Sequence, residues 1–525
     1  DTTMPPKFSK EIEEKIITTD GLAFQPRTSP CEVYCPAGNP IQKANALIQE
    51  NRVEEALEYL KSRNPFPGIT GRVCAHPCEQ KCNRNEYDEG VSIRALERFA
   101  ADHADLTRVA KPRRKERSGK KLAIIGSGPA GMTCAYFTAL FGHDVTVFES
   151  STSLGGMPRM GIPGFRLPKD IVDREIGQIL ELGVRAKTNT TVGKDISFDR
   201  ILEDHDACLI AVGTWKDRRL DVRGVDMALP AVSFLKHVNL GLKKDIGDTV
   251  VIIGGGGVAF DCAFTAKRLG ASEVHVLCVE GKDGMLASPE DVLQARAEDI
   301  MIHHSRMISK VLNDKEKTIG IEFYAISSFQ FDENGRLSVE PLSDEREVLS
   351  ADTVISAIGE QPDFTFIDGT TPLNLTTKGS LEVNPETFET SKEGVFAAGD
   401  AVSGPSTVAR AIGSGRQAAM AIDRYLNNSH FTERVRVAID GDGHVVMDAR
   451  LGIDELNEAL DLELSEDEDF DTIGGYISAF AGRIPQAGDV IDTGVLCIEV
   501  IEANPRRVLT VKIKKTAEDA DADDT

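Results

Sequence analysis

Five cysteines fall in two short stretches, Cys31-x3-Cys35-Pro36 and, within GRVCAHPCEQKC, Cys74-x3-Cys78-x3-Cys82. Four thiolates drawn from two loops can hold a [4Fe–4S] cluster, and cysteine followed by proline is familiar at its ligands. Zinc and unligated core thiols are the alternatives. Structural zinc usually shows C-x2-C pairs, and none occurs in this chain. A second group follows the apolar run at 122–125: Gly126, Ser127, Gly128, Pro129, Ala130 and Gly131, with Glu149 23 residues after Gly126. In this G-x-G-x-x-G pattern the first glycine allows a tight turn and the second lets backbone approach a pyrophosphate. The third lets a helix pack against its strand, and that helix points its positive end at the phosphates. Glu149 stands where a carboxylate accepts hydrogen bonds from a ribose hydroxyl. A third group repeats the pattern: Gly254, Gly255, Gly256, Gly257, Val258 and Ala259, with Glu280 21 residues after Ala259. Two fingerprints imply two dinucleotides; a duplicated fold with one inactive site is the alternative.

Each glycine group needs a strand before it and a helix after it. KLAIIGSGPAGMTCAYFTALFGHDVTVFES (121–150) supplies strand, turn, a helix over 132–141 and a second strand over 145–148. VVIIGGGGVAFDCAFTAKRLGASEVHVLCVE (250–280) supplies the same series, with Glu280 ending its second strand. The stretch 154–168, LGGMPRMGIPGFRLP, is rich in glycine and proline and is expected as a shaped loop, with a helix over 169–182 after it. ACLIAVGTW (207–215) is an apolar strand ending in glycine, and ADTVISAIG (351–359) closes the second unit. EGVFAAGDAVSGPSTVARAIGSGRQAAMAI (393–422) then returns to the first. There Asp400, after Gly399, can bind flavin ribityl hydroxyls, and a helix starting near Thr407 can aim its N-terminus at the electron-rich end of an isoalloxazine.

The cysteines need helical supports. Residues 40–62 carry Ala44, Leu47, Ile48, Val53, Ala56, Leu57 and Leu60 near a helical period, and a last helix is expected over 91–103. Residues 1–30 are polar and irregular, and the basic stretch LTRVAKPRRKERSGK (106–120) reads as a solvated connector. The fold class expected is α/β: a helical iron–sulfur domain with linker (1–115), an FAD domain in two parts (116–230 and 359–428) around an NAD(P)H domain (231–358), and a small C-terminal α+β domain with an acidic tail (429–525).

A formal net charge of −24 argues against nucleic acid or an anionic membrane as a general partner. No apolar run reaches the roughly 18 residues of a membrane span, and no secretory signal opens the chain. Half of the ten cysteines lie in one local pattern, which suggests a cofactor site in a reducing, cytoplasmic compartment and not a disulfide framework. Residues 433–525 hold 23 Asp and Glu against 9 Lys and Arg, so −14 of the charge sits there.

CPAGNPIQ, NPFPGITGRVCAHPCEQKC, both fingerprints, GIPGFRLP and VFAAGDAVSGPSTV together resemble the small (β) subunit of bacterial glutamate synthase and its relatives. These include the N-terminal half of dihydropyrimidine dehydrogenase, the large subunit of ferredoxin:NADP transhydrogenases and the flavoproteins that serve sulfite reductases. The likeness covers about residues 30–428. It implies FAD at residues 126–131, Glu149, Gly156, Met157, Arg166, Val192, Gly399, Asp400, Thr407 and Val408, and a nicotinamide at residues 254–259, Ala357 and Gly359. Relatives with two clusters carry further cysteines before the position of Cys31. These are absent here, so one cluster is expected, with Cys35, Cys74 and Cys78 as ligands and Cys31 or Cys82 as the fourth. Glu97 falls near where a relative uses a glutamine side chain. NADP-dependent relatives place basic residues where this chain has Val279 and Glu280, which implies NADH in preference to NADPH. The C-terminal region resembles the CorC/HlyC transporter-associated domain, on DARLGIDELNEAL, DFDTIGG and GRIP.

The function expected is electron transfer. A flavin exchanges a hydride with nicotinamide, releases the proton to solvent, and splits the electron pair into single electrons, which an iron–sulfur cluster can take. No catalytic side chain is required beyond those that hold the cofactors. The acceptor or donor would lie on a redox partner protein or larger catalytic subunit, in an oligomer or hetero-complex. A disulfide or quinone reductase of the same architecture would show a redox C-x2-C or C-x4-C near the flavin. Neither occurs, and Cys134, Cys208, Cys262 and Cys278 read as packing residues. A nucleotide-binding sensor without activity is the third reading, disfavoured by the intact fingerprints.

Overall fold

In the computed structural model the described residues are 29–427, apart from 243–244, 316, 333–336 and 368–371, and in the C-terminal region 438–439, 445–449, 453, 456–457, 472–494, 496–504 and 507–515. The segment 1–28, the acidic tail and most of GIDELNEAL lie outside them. Ser29–Asn428 form one compact unit, and the C-terminal region belongs to a second.

The cysteine-bearing part of the first unit is helical: α1 (Ile41–Gln49), α2 (Val53–Lys61), α3 (Pro67–Val73) and α4 (Ile93–His103), with one-turn helices at Pro30–Val33 and Pro77–Gln80. The single helix expected over 40–62 is broken in two. Asn51 takes a left-handed φ of 59° there, a conformation asparagine tolerates better than most residues. The break lets α1 and α2 fold back so that Ala44, Leu60 and Ala100 share one buried cluster with Ile48 and Val53.

The linker ends at β1 (Lys121–Ile125), followed by α5 (Pro129–Leu140), β2 (Asp144–Phe148), α6 (Lys169–Leu180), β3 (Arg185–Lys187) and β4 (Ala207–Ile210). The linker is mostly exposed, as its composition suggests, and is tied down at a few points. Arg114 donates to the carbonyls of Leu182 and His143, and the backbone N–H groups of Lys115 and Ser118 bond Leu140 and Gly142. The glycine-rich stretch after Glu149 is not all loop, since Gly156–Met160 forms a helical turn.

A second parallel sheet follows: β5 (Leu229–Pro230), β6 (Thr249–Ile253), α7 (Gly257–Arg268), β7 (Glu273–Leu277), α8 (Pro289–Ala297), β8 (Ile300–His303) and β9 (Thr353–Ser356), in the order β5-β9-β6-β7-β8. Between β8 and β9 an antiparallel pair, Arg306–Asp314 with Lys317–Phe331, extends the domain. The chain then returns to the first sheet. There β10 (Val395–Ala397) pairs with β4, giving the order β10-β4-β1-β2-β3, and α9 (Val408–Leu426) packs on α5. Residues 130–139 of α5 are all buried, because the helix has the sheet on one side and α9 on the other. Strands covered on both faces read as unbroken apolar runs, as β1 and β6 do.

The C-terminal unit is a five-stranded antiparallel sheet ordered Ala438–Ile439, Val445–Asp448, Arg507–Lys515, Leu496–Asn504, Val490–Asp492, with the helix Ile473–Ala481. Its core joins Met447, Ile453, Leu456, Ile473, Ile477 and Ile498. Among the described residues no helix is long and apolar enough to cross a membrane.

Candidate cofactor sites

The first glycine turn is built as its pattern requires. Gly126 has φ +101°, and a side chain there would collide with the Ala211 carbonyl; one at Gly131 would collide with the carbonyl of Gly126. Gly128 instead faces open space, the room a phosphate needs. Glu149 is buried and fixes the turn: its Oε2 accepts from the Ser127 backbone N–H (3.1 Å) and hydroxyl (2.6 Å), and its Oε1 from the Ser151 N–H (2.7 Å). One cleft is lined by residues 126–130, Glu149, Gly156, Met157, residues 211–215, Ala398, Gly399, Asp400 and Ala411. Of these, residues 211–215 are marked in the sequence only as the end of an apolar strand with its glycine, Gly213.

Asp400 accepts from the Ser406 hydroxyl at 2.7 Å, and burial raises its carboxyl above the usual range. Thr407 caps α9 by accepting from the Arg410 N–H, with Val408 as the first helical residue. Val192 lies in the core beside β2, bridged to Ile196. Arg166, Val192, Thr407 and Val408 do not line the cleft. Asp400→Ala is expected to lower FAD retention, because a buried hydroxyl left without its acceptor costs about 1–3 kcal/mol. Flavin content after dialysis measures it, and unchanged content would refute the role.

The second turn repeats the first. Gly254 has φ +130° and leaves no room between itself and the Ala357 carbonyl, while Gly256 and Gly257 face open space ahead of Val258 and Ala259. Glu280 does not end the second strand as expected: β7 stops at Leu277, and Glu280 lies three residues beyond. Its side chain nevertheless curls back under the loop. It is buried, a Cβ at Gly255 would stand 2.6 Å from its Oε2, and that oxygen has no hydrogen-bond partner. An unsatisfied buried acceptor beside a glycine turn fits a ribose hydroxyl. Gly359, at φ +101°, follows β9 at the same end of the sheet.

Cys35, Cys74 and Cys78 come together from two loops. Cys78 packs with Ile41 and Ile93 against Cys31, Cys35 and Val91, while Cys35 and Cys74 also pack against the core that joins Ala37, Phe66 and Ile69 to the flavin domain. Burial, and then the charges of Cys35 and Cys74, push the Cys78 thiol up to about 12; burial pushes Cys74 to about 11. Sulfurs crowded this way are stabilised as thiolates by bound cations. The backbone N–H groups of Asn39 and His76 point at Cys35 Sγ (3.4 Å) and Cys74 Sγ (3.3 Å). Cys82 caps the 3-10 turn Asn83–Glu86, outside this packing. Glu97 is buried with Oε1 held by Asn39 (2.8 Å), Asn64 (3.1 Å) and Thr70 (2.7 Å). Among the described residues no group of three or more His, Cys, Asp or Glu is placed to hold a single metal ion. Cys134, Cys208, Cys262 and Cys278 are buried in the two sheet domains, as packing residues are.

Arg166 is engaged elsewhere than at the flavin cleft. Its guanidinium pairs with Asp261 of α7 (2.8 Å) and Asp291 of α8 (2.6 Å), tying the loop before α6 to the second sheet domain. Burial lifts Asp261 to about 7 against the pull of Arg166. Beside Asp291, Glu290 pairs with Arg94 (2.9 Å) and His76 (3.5 Å) of the cysteine-bearing region. Arg166→Ala is therefore expected to slow flavin reduction by nicotinamide more than it lowers FAD content. Rapid-mixing kinetics and flavin content on the same preparation decide, and loss of FAD alone would place Arg166 at the flavin.

Two dinucleotide cradles and a thiol-rich helical region define an iron–sulfur flavoprotein oxidoreductase that uses a nicotinamide. Residues 120–415 match the pyridine nucleotide-disulphide oxidoreductase family. Residues 13–109 match dihydropyrimidine dehydrogenase domain II, 4Fe-4S cluster, and residues 439–517 the transporter associated domain. The chain is 33% identical to the glutamate synthase [NADPH] small chain of Azospirillum brasilense over 415 residues, 75% of this chain and 86% of that one. It belongs to the pyridine nucleotide-disulphide oxidoreductases, in the group of the glutamate synthase small chains. It is 36% identical to the NADP(+)-dependent formate dehydrogenase subunit beta of Moorella thermoacetica over 449 residues, 80% of this chain and 63% of that one. It is 34% identical to the NADPH-Fe(3+) oxidoreductase subunit beta of Geobacter sulfurreducens over 428 residues, 76% of this chain and 64% of that one. The chain thus spans a little under two thirds of these last two relatives. FprA from Mycobacterium tuberculosis shares the fold, with a TM-score of 0.51 at 18% identity over 59% of this chain and 86% of that one.

Proposed function

We propose that the chain is an electron-transfer subunit that takes electrons from NADH and delivers them to, or receives them from, a partner protein. The observation that carries this is the presence, in one compact unit, of both cradles and the cysteine cluster, with α9 approaching both the Cys35 loop at Pro36 and the first cradle at Ala130. Bound at the first cradle, FAD would supply exchange of a hydride, two electrons with one proton, with a nicotinamide at the second, and of single electrons with one [4Fe–4S] cluster. The chain's residues do the rest. Gly126, Ser127, Gly128, Pro129, Ala130 and Gly131 receive the FAD pyrophosphate, and Asp400 takes the ribityl hydroxyls. Residues 254–259 receive the nicotinamide pyrophosphate, and Glu280 reads its ribose. Cys35, Cys74 and Cys78 ligate the cluster, with Cys31 as the fourth ligand because it packs with Cys35 and Cys78 where Cys82 does not. This assignment divides the unit into the domains 29–115, 116–230 with 359–428, and 231–358.

Support for a partner comes from the relatives, which are named as subunits or as a small chain. The test is co-purification of the natively expressed chain followed by assay of the complex with NADH and an artificial one-electron acceptor. A pure monomer that turns over a low-molecular-weight substrate at full rate would refute the partner. Absence of NADH-dependent acceptor reduction in holoprotein would refute the activity.

A further inference from the structure

The cysteine region and the flavin cleft are joined by one helix. A side chain on Gly413 of α9 would collide with the carbonyl of Pro36, directly after Cys35, and one on Gly415 with the carbonyl of Ala130 in the first cradle. The next residue is Arg416. Its guanidinium lies over Gly38, where a Cβ would stand 2.5 Å from Nη2 and 3.3 Å from Cζ. Gly38 has φ +67°, so both conformation and space demand glycine there.

Arg416 Nε and Nη1 are buried and have no hydrogen-bond partner among the described residues. Besides burial, the charges acting on Arg416 are those of Arg63, a second cation, and Cys35, and among the described residues it forms no ion pair. A buried guanidinium whose only near anion is a cysteine sulfur is costly unless that sulfur carries negative charge. Four thiolates around a [4Fe–4S] core leave the whole net negative, and reduction adds one electron and one more unit of negative charge. Net charge and hydrogen bonds to the sulfurs are what set such a cluster's potential.

We propose that Arg416 is the counter-charge of the cluster, positioned from the flavin-domain helix to raise its reduction potential and so draw electrons from the flavin. This rests on the assignment of Cys35, Cys74 and Cys78 as cluster ligands. Arg416 is a positioning residue: it holds its guanidinium over Gly38 of the Cys35 loop, with buried donors unspent, and ligates nothing.

The test is potentiometric titration of purified holoprotein, following the cluster by electron paramagnetic resonance, in wild type, Arg416→Gln and Arg416→Lys, with FAD and iron assayed in each. Arg416→Gln is expected to shift the oxidised-to-reduced ratio at a fixed potential at least tenfold toward oxidised, a midpoint lower by about 59 mV or more for one electron. Arg416→Lys, which keeps the charge, is expected to recover most of that shift. If the glutamine variant loses its iron, retention of iron at a near-native midpoint by the lysine variant supports the charge role. A cluster-loaded glutamine variant at the wild-type midpoint overturns the proposal. So does equal loss of iron in both variants, which would mean that Arg416 acts through packing. Wild-type protein without any iron–sulfur signal would instead refute the ligand assignment.

Discussion

Cys74→Ser is expected to strip the cluster, lowering iron and acid-labile sulfide from about four of each per chain to near zero while FAD content is kept. Cys74 is the sulfur that closes the loop after α3, shielded by the flavin-domain core and crowded by Cys35 and Cys78. A serine hydroxyl there ionises far less readily than a thiol and is a poorer ligand for iron. The first glycine turn shares no residue with this loop, so the flavin should stay. The two outer cysteines separate in the same assay. Cys31→Ser is expected to lose the cluster, because Cys31 packs with Cys35 and Cys78, whereas Cys82→Ser, at a residue outside that packing whose side chain makes no capping bond, is expected to keep it. Iron near eight per chain in the wild type would mean two clusters. Full iron in Cys74→Ser would remove the ligand assignment.

NADH is expected to be preferred over NADPH by at least about tenfold in kcat/KM, although the relatives compared above are named for NADP(H). Glu280 is buried against Gly255 with Oε2 free to accept, and the proposed assignment sets its carboxylate at the adenosine ribose. It can accept from the two ribose hydroxyls of NAD. Against the 2′-phosphate of NADP it sets like charges, which at about 4 Å cost around 1 kcal/mol in water and about 4 at a surface-like dielectric. Each 1.4 kcal/mol is tenfold in affinity, so tenfold is the low end. Val279 and Leu286 supply no cation, and Lys282 is exposed at the loop edge. Steady-state kinetics with both cofactors measure the ratio. Glu280→Arg should narrow it, and equal or better use of NADPH by the wild type would end the argument.

The cradles were legible because their physics is local. Gly126, Gly131 and Gly254 occupy positions where any side chain would strike a backbone carbonyl, and the strand before and helix after each turn follow from apolar runs of the right length. That the two cysteine loops would meet was legible in their matching spacing along the chain, and Cys35, Cys74 and Cys78 do come together. What depended on distant partners was not. Arg166 reads as a residue of the GIPGFRLP loop, and only the fold brings Asp261 and Asp291 to it. Nothing near Arg416 in sequence shows that it would lie on Gly38. The break at Asn51 and the helical turn at Gly156–Met160 depend on one residue's backbone conformation and on packing, which periodicity does not register.

Anaerobic mixing of the holoprotein with NADH, followed simultaneously by flavin absorbance and by freeze-quenched electron paramagnetic resonance of the cluster, tests the central claim most directly. The flavin is expected to bleach first and a reduced-cluster signal of one spin per chain then to grow at the flavin's expense, with both phases lost in protein lacking FAD. A flavin that bleaches fully while the cluster stays oxidised at every NADH concentration would contradict the claim.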